Sequence, residues 1–184
     1  MNRLIAVVGM SGSGKSVVTE YLESVGWKKL YFGGITYKLM AEQGIERDLA
    51  GKNEKAFREQ LRKDHGPECY AKFLEPEIRE EIEKGDVVLD GLYSWHEYKY
   101  LIERFPNLKL LAVVVDKNLR YERVAIRPER PFDEEAIRYR DLSEIENLFK
   151  GGPIAFADYY ILNNGTIEDE VDRLKEILEK GVFE

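Results

Sequence analysis

A glycine-rich segment near the start of the chain constrains the fold more than any other feature. Residues 9–16 match the pattern G-x-x-x-x-G-K-[ST] at every fixed position. The apolar run Leu4–Val8 precedes this segment, and a helix pattern that continues to about Val25 follows it. The order predicts a buried strand, a tight glycine turn and a helix, which is the unit from which parallel α/β folds are built.

The residues of this segment suit a phosphate group. Glycines allow backbone angles that turn successive N–H groups inward, and a helix N-terminus adds partial positive charge. The lysine of the pattern reaches the β- and γ-phosphates of a nucleoside triphosphate, and the hydroxyl after it binds Mg²⁺. We therefore predict that Lys15 is catalytic and that Ser16 is a magnesium ligand. The predicted nucleotide-binding residues of the segment are Gly9, Ser11, Gly12, Ser13, Gly14, Lys15, Ser16 and Val17.

Further apolar runs alternate with helix patterns along the rest of the chain. The runs are residues 29–32, Val87–Asp90, residues 110–116 and Tyr159–Leu162. Ser94 with Glu97 and Thr166 with Asp169 have capping-box spacing, which predicts two helix starts. The alternation predicts right-handed crossovers and a parallel sheet with helices on both faces, a three-layer αβα fold. In such folds, ligands bind at the carboxyl ends of the strands.

Two acidic residues stand at the ends of predicted strands. Asp90 ends the run VVLD, and Asp116 ends the run LAVVVD. Either carboxylate can hold Mg²⁺ through water or accept the proton of a hydroxyl. We favour Asp90 as the catalytic and metal-binding residue, because the small Gly91 after it lets a ligand approach closely. Asp116 remains the alternative, although its place before a helix also suits an N-cap.

Arginines are concentrated between residues 120 and 140. Arg120, Arg123 and Arg127 are spaced to share one helix face, and two prolines then interrupt the helix. We interpret residues 120–140 as a lid segment, because guanidinium groups stabilise the charge that spreads over a transferred phosphoryl group. The same arginines can instead pair with neighbouring glutamates on a solvated helix face.

The segment 45–84 is highly charged and has helix patterns without a strand. A break at Gly66 and Pro67 divides it. We expect a helical insertion on the acceptor side of one domain that spans residues 1–184.

Composition excludes several classes of protein. The chain has 28 Lys and Arg against 35 Asp and Glu, a net charge of −7, which argues against a general nucleic-acid binder. One cysteine excludes a disulfide framework and a multi-cysteine zinc site. No apolar run approaches the ~18 residues of a membrane span. We expect a cytoplasmic protein without a membrane partner, and the charged fraction of 34% suggests a heat-adapted source. The oligomeric state is not predicted.

Four motifs in a fixed order carry a family resemblance. GMSGSGKS, VVLDGL, R-x-x-R before the two prolines, and ADYYILNNGT together resemble P-loop nucleotide kinases, above all dephospho-CoA kinase-like and archaeal adenylate-kinase-related proteins. The resemblance implies a five-stranded parallel sheet in the order 2-3-1-4-5, a small helical lid, ATP and Mg²⁺. It also implies that Arg123 and Arg127 are catalytic lid arginines and that Asn164 and Gly165 lie near the adenine.

The chain departs from dephospho-CoA kinases at one place. Those enzymes resemble one another in acidic residues just after the second strand, whereas this chain has FGGI at residues 32–35. We expect an ATP-dependent phosphotransferase that moves the γ-phosphoryl group to a nucleotide-like small molecule, either a nucleoside monophosphate or dephospho-CoA. The alternative is a nucleotide-hydrolysing switch or an ATP-binding regulator that acts on a macromolecular partner.

Overall fold

The computed structural model describes residues 2–47, 52–127 and 131–180. Its five strands form one parallel sheet in the order β2-β3-β1-β4-β5, so the predicted fold class and strand order are confirmed. The strands are β1 (Leu4–Val8), β2 (Lys28–Tyr31), β3 (Val87–Asp90), β4 (Lys109–Val114) and β5 (Tyr159–Leu162).

Helices cover both faces of the sheet. The two predicted capping boxes are present at the starts of α5 and α9. The helices of the described part are α1 (Lys15–Ser24), α2 (Phe32–Glu42), α3 (Lys52–His65), α4 (Cys69–Lys84), α5 (Trp95–Arg104), α6 (Lys117–Ile126), α7 (Glu134–Leu148), α8 (Gly151–Ala155) and α9 (Ile167–Glu179). None of the helices within these ranges combines the length and apolarity needed to cross a bilayer.

The central strand β1 is buried on both sides. Its alternate residues Leu4, Ala6 and Val8 pack into one apolar cluster, while Ile5 and Val7 pack into another on the opposite face. Continuous apolar sequence is what a strand covered on both faces requires. This burial fixes the glycine-rich segment at the carboxyl end of β1, beside the end of β3.

Two strand boundaries differ from the prediction. The second strand ends at Tyr31, because Phe32 begins α2, a helix that the sequence analysis did not predict. Gly33 allows this helix start, since a Cβ on Gly33 would collide with the ring of Tyr31. The fourth strand ends at Val114, so Asp116 lies at the N-cap position of α6 and not on the strand.

Both predicted segments contain helices in the described ranges, while their roles as an acceptor-side insertion and as a lid stay predictions. Within 45–84, α3 and α4 are separated at residues 66 and 67. Within 120–140, α6 ends at Ile126 and α7 begins at Glu134, after the N-cap residue Asp133. Residues 48–51 and 128–130 lie outside the described ranges, and the first proline of the predicted lid is among them.

Candidate active site

The glycine-rich segment forms a closed turn between β1 and α1, which we call the phosphate loop (residues 9–16). The N–H of Ser13 donates to the carbonyl of Met10 at 3.2 Å, and the Lys15 ammonium donates to the same carbonyl at 2.9 Å. Gly14 is the N-cap of α1 with φ +103°, and a Cβ there would collide with the Asn163 amide. Both conformation and space therefore require glycine at position 14.

Helix α6 supports the phosphate loop through Arg120. Arg120 is 6% exposed, and its guanidinium donates to the Ser11 carbonyl at 2.9 Å. It also pairs with Asp141 of α7, which accepts a further bond from the Tyr121 hydroxyl at 3.1 Å. Arg120 is thus used inside the structure to hold the loop backbone and is not available to a ligand.

The turn between β5 and α9 lies against the other side of the loop. The Asn163 amide donates to the Ser13 carbonyl at 3.0 Å and to the Glu170 carboxyl at 2.6 Å. Arg123 donates to the Asn163 and Gly165 carbonyls at 2.8 and 2.9 Å. Asn164 is exposed beside this turn. The structure therefore brings Asn164 and Gly165 next to the loop, and their contact with adenine stays a prediction.

The residues of the loop fit a nucleoside triphosphate with Mg²⁺. Burial and the nearby Lys150 ammonium lower the pKa of Lys15 to about 7, so its charged form lacks a sufficient counter-charge until an anion arrives. The exposed Ser16 hydroxyl follows directly in the first turn of α1. In the described ranges no group of three or more His, Cys, Asp or Glu side chains could hold a metal ion. Protein Mg²⁺ sites commonly use one or two protein oxygens together with phosphates and water.

Asp90 lies at the carboxyl end of β3, close to Lys15 and α1. Its carboxylate accepts a long hydrogen bond, 3.4 Å, from the Thr19 hydroxyl of α1. Burial raises the pKa of Asp90, although Lys15 and Lys29 oppose the change. A carboxyl with a raised pKa is a better proton acceptor near neutral pH.

Asp116 lies elsewhere. It is exposed at the start of α6, where its backbone N–H donates to the Asn164 side chain at 3.0 Å, and its carboxylate makes no capping bond. Of the two strand-end candidates, Asp90 is the one that shares its electrostatic environment with Lys15.

A second group of charges faces Lys15 from α7 and the α7–α8 junction. Glu144 accepts from Arg140 at 2.9 Å and from Lys150 at 2.7 Å. Burial alone would raise the pKa of Glu144, but Lys150 and Arg140 together hold it at about 2. Lys150 is 2% exposed, and two cations share this one carboxylate. The excess positive charge on this side favours an anionic ligand between Lys15 and α7.

Two tyrosines lie between this group and Asp90. The Tyr93 phenol is hydrogen-bonded to Tyr31, and burial raises its pKa well above the usual value, which keeps it neutral. The Lys150 ammonium stands 5.3 Å from the centre of the Tyr93 ring. We call Tyr31, Asp90, Tyr93, Arg140 and Lys150, together with Glu144, the acceptor side.

An apolar groove of about 460 Å³ adjoins the α7–α8 junction. Phe149 and Gly151, the chain neighbours of Lys150, contribute to it. The lining residues are Trp95, His96, Ile145, Phe149, Gly151 and Gly152. The groove gives the acceptor side an adjoining apolar surface.

The two predicted lid arginines are not brought together. Arg123 is held by the carbonyls of the β5–α9 turn. Arg127 follows α6, and its guanidinium lies 5.1 Å from the ring of Phe132. Their catalytic roles stay predictions.

Sequence reasoning missed several residues that shape the site, Tyr31 and Tyr93 among them, and it noted Arg140 only as one of the arginines of the segment 120–140. Asn163 stands in a motif that was singled out, but only the two residues after it, Asn164 and Gly165, were selected. Arg140 and Glu144 have the i, i+4 spacing of a helical ion pair, which is a common surface pattern and not specific. Nothing in the sequence distinguishes Lys150 from an exposed lysine.

Comparison with known sequences identifies the family. A family described as AAA domain matches residues 5–146. A UPF0200 protein from Thermococcus gammatolerans is 32% identical over 182 residues, which cover 96% of this chain and 94% of that protein. The chain belongs to the UPF0200 family and to the AAA domain family. Another UPF0200 protein, from Sulfurisphaera tokodaii, is 29% identical and covers 97% of each chain. These relatives come from thermophilic archaea.

Solved structures of small-molecule kinases share the fold. Shikimate kinase from Bacteroides thetaiotaomicron superposes with a TM-score of 0.66 at 18% identity, covering 97% of this chain and 99% of that one. Dephospho-CoA kinase from Campylobacter jejuni gives a TM-score of 0.56 at 19% identity, covering 97% and 96%. The UPF0200 chain therefore has the fold of P-loop nucleotide kinases, as the motif resemblance implied.

Proposed function

We propose that this UPF0200 protein transfers the γ-phosphoryl group of ATP, bound with Mg²⁺, to a hydroxyl of a small nucleotide-like acceptor that carries a negative charge. The observation that carries the proposal is the convergence of Lys15 and Asp90 at the carboxyl ends of β1 and β3, with a positively charged group opposite them. The family and fold support a kinase-like enzyme, and the site chemistry supports the finer assignment.

The nucleotide would be held mainly by backbone groups. The N–H groups of the phosphate loop and the N-terminus of α1 would bind the phosphate oxygens, and Lys15 would leave the Met10 carbonyl to contact the β- and γ-phosphates. Bound Mg²⁺ would neutralise charge on those phosphates, with Ser16 and Asp90 as its nearest protein oxygens. Positioning and charge neutralisation supply most of the rate enhancement in such transfers.

Asp90 supports a hydroxyl acceptor over a phosphate acceptor. A phosphate oxygen is already deprotonated and would be repelled by a carboxylate, whereas a hydroxyl has a proton to give. In the transfer, the acceptor oxygen bonds to the γ-phosphorus, the bridging P–O bond to ADP breaks, and the hydroxyl proton passes to Asp90.

The acceptor side supports a negatively charged acceptor. Arg140 and Lys150 both donate to the single carboxylate of Glu144, and burial lowers the pKa of Lys150, so an added anion would stabilise its charged form. Arginine suits both carboxylate and phosphate oxygens, because its N–H groups form a planar fork. Dephospho-CoA has both features, a free hydroxyl and remote phosphates.

The experiment is incubation with γ-labelled ATP and a panel of dephospho-CoA, nucleosides and nucleoside monophosphates, with identification of the labelled product. We expect label on a hydroxyl of a charged acceptor, and about 100-fold slower labelling with Asp90→Asn. Label on the phosphate of a nucleoside monophosphate would contradict the hydroxyl assignment. Hydrolysis of ATP with no labelled acceptor, stimulated by a macromolecule, would favour the nucleotide-hydrolysing switch instead.

A further inference from the structure

Glu170 is a buried carboxyl to which the proposed phosphoryl transfer gives no role. It lies in the first turns of α9 and is 1% exposed. Its Oε2 accepts from the Asn163 amide at 2.6 Å, whereas its Oε1 has no hydrogen-bond partner. An unpaired buried carboxyl oxygen is costly, so its position calls for a physical explanation.

This carboxyl touches the phosphate loop from behind. Both of its oxygens lie 2.8 Å from the place that a Cβ on Gly14 would occupy. The Asn163 amide that it binds also donates to the Ser13 carbonyl at 3.0 Å. Glu170 therefore reaches the loop by direct packing against one residue and through a shared amide to another.

The charged groups that act on Glu170 come from two other helices. They are Arg123 of α6 and Lys15 of α1, and both favour the carboxylate. Burial outweighs them and raises the pKa of Glu170 to about 7. Both forms of the Glu170 carboxyl are therefore accessible near neutral pH.

A bound nucleotide favours the neutral form of the Glu170 carboxyl. Its phosphates add several negative charges across the loop backbone from Glu170, and they engage Lys15, one of the two cations that stabilise the carboxylate. Like charges favour the neutral form of a carboxyl. The neutral carboxyl still accepts the Asn163 bond through its carbonyl oxygen.

We propose that Glu170 is a positioning residue that takes up a proton from solvent when nucleotide fills the phosphate loop, while it holds Asn163 on the Ser13 carbonyl. The inference rests on the proposed nucleotide binding. Because uptake of a proton accompanies binding, nucleotide affinity falls as the pH rises above about 7.

The test is calorimetric titration with Mg²⁺ and a non-hydrolysable ATP analogue at pH 7, in two buffers of different ionisation enthalpy. Lys15 also gains a proton on binding, since its pKa is about 7 in the empty loop. The contribution of Glu170 is therefore the difference between the wild type and Glu170→Gln, and we expect the wild type to take up more protons than the variant. The control is Glu168→Gln, an exposed position of the same helix, which should match the wild type.

Equal proton uptake by the wild type and Glu170→Gln would overturn the inference and leave the proposed function intact. No binding by the wild type would refute the proposed nucleotide site instead. A purely structural role would weaken binding at every pH without changing the proton count.

A second measurement does not depend on the variant being folded. The infrared spectrum of the wild type should gain a protonated-carboxyl band when the analogue binds, and no gain would also overturn the inference. Circular dichroism establishes that Glu170→Gln is folded before its titration is interpreted.

Discussion

The two sides of the candidate site are built in different ways. On the nucleotide side, the phosphate loop and the β5–α9 turn present backbone groups from two short continuous segments. On the acceptor side, side chains from β2, β3, the β3–α5 connection, α7 and the α7–α8 junction converge from distant parts of the chain. A site made from local backbone tolerates little change at its glycines, whereas a site made from converging side chains can change its ligand by single substitutions.

The largest effect is expected for Lys15→Met, on the nucleotide side. Transfer to every acceptor should fall by at least about 100-fold, because a cation at the transferred phosphoryl is lost. Because the pKa of Lys15 is lowered in the folded state, burial of its charged form reduces the stability of the fold. This loss of stability is complete below about pH 7 and disappears as the pH rises toward 10.5. Removing the amine should therefore raise the melting temperature of the empty protein at pH 7. Full activity, or a lower melting temperature, would contradict this account.

Asp90→Asn should reduce transfer by about 100-fold, because the proton acceptor or metal-binding oxygen is lost. The matched control is Asp116→Asn, at the exposed start of α6, which should change transfer little. Initial rates with labelled ATP at saturating acceptor test both variants. A larger loss in the Asp116 variant would reverse the assignment of the two carboxylates.

Glu144→Gln tests the acceptor side through acid stability. Lys150 and Arg140 hold the pKa of Glu144 at about 2, against the effect of burial. The Glu144 carboxylate therefore contributes its whole stabilisation of the fold above about pH 4.5, and this contribution is lost as the pH falls toward 2. The shift corresponds to about 3 kcal/mol of unfolding free energy at pH 7. Urea unfolding should show the variant much less stable at pH 7 and the two proteins converging near pH 2. Glu146→Gln, exposed on the same helix, should show no such pH-dependent difference.

Lys150→Met separates the two sides kinetically. The loss of one charge-assisted contact should raise the KM for the acceptor about tenfold, with the affinity for ATP nearly unchanged. Steady-state kinetics with each substrate varied in turn provides the measurement. An equal rise in both constants would mean that Lys150 supports the nucleotide side as well.

The two capping boxes give the smallest and most closely matched comparison. Thr166→Ala at the start of α9 and Ser94→Ala at the start of α5 should each cost about 1 kcal/mol of unfolding free energy. The first should weaken mainly ATP binding, since α9 carries Glu170 behind the loop. The second should weaken mainly acceptor binding, since the Ser94 turn follows Tyr93. Isothermal unfolding and KM values for both substrates test the two variants. Weaker acceptor binding in Thr166→Ala, or weaker ATP binding in Ser94→Ala, would contradict the division of the site into two sides.

The same contrast explains what could be predicted from the sequence. The buried strand β1, the phosphate loop and α1 are contiguous, so an apolar run, a glycine pattern and a helix period were enough to place them. Helix α2 was missed because two glycines in its first turn disfavour a helix in isolation. The Tyr31 ring lies over Gly33, so this local contact requires a residue without a Cβ at the helix start.

Side-chain convergence was beyond the sequence evidence. Arg120 and Arg123 were correctly placed on one helix, but the sequence could not show that carbonyls of the phosphate loop and the β5–α9 turn accept their hydrogen bonds. The role of Lys150 follows from its position at the α7–α8 junction, where it contacts Glu144 and Tyr93. Distances between elements that are remote in the chain decide these roles, and composition does not contain them.

Helix α7 contributes side chains to both sides of the candidate site. Asp141 holds Arg120, which holds the Ser11 carbonyl of the phosphate loop, while its chain neighbour Arg140 bonds to Glu144 on the acceptor side. A rotation of this helix that re-aims Arg140 must also pull on Asp141. If occupancy of one half of the site moves α7, it changes the affinity of the other half, and by thermodynamic reciprocity each substrate then changes the dissociation constant of the other by the same factor.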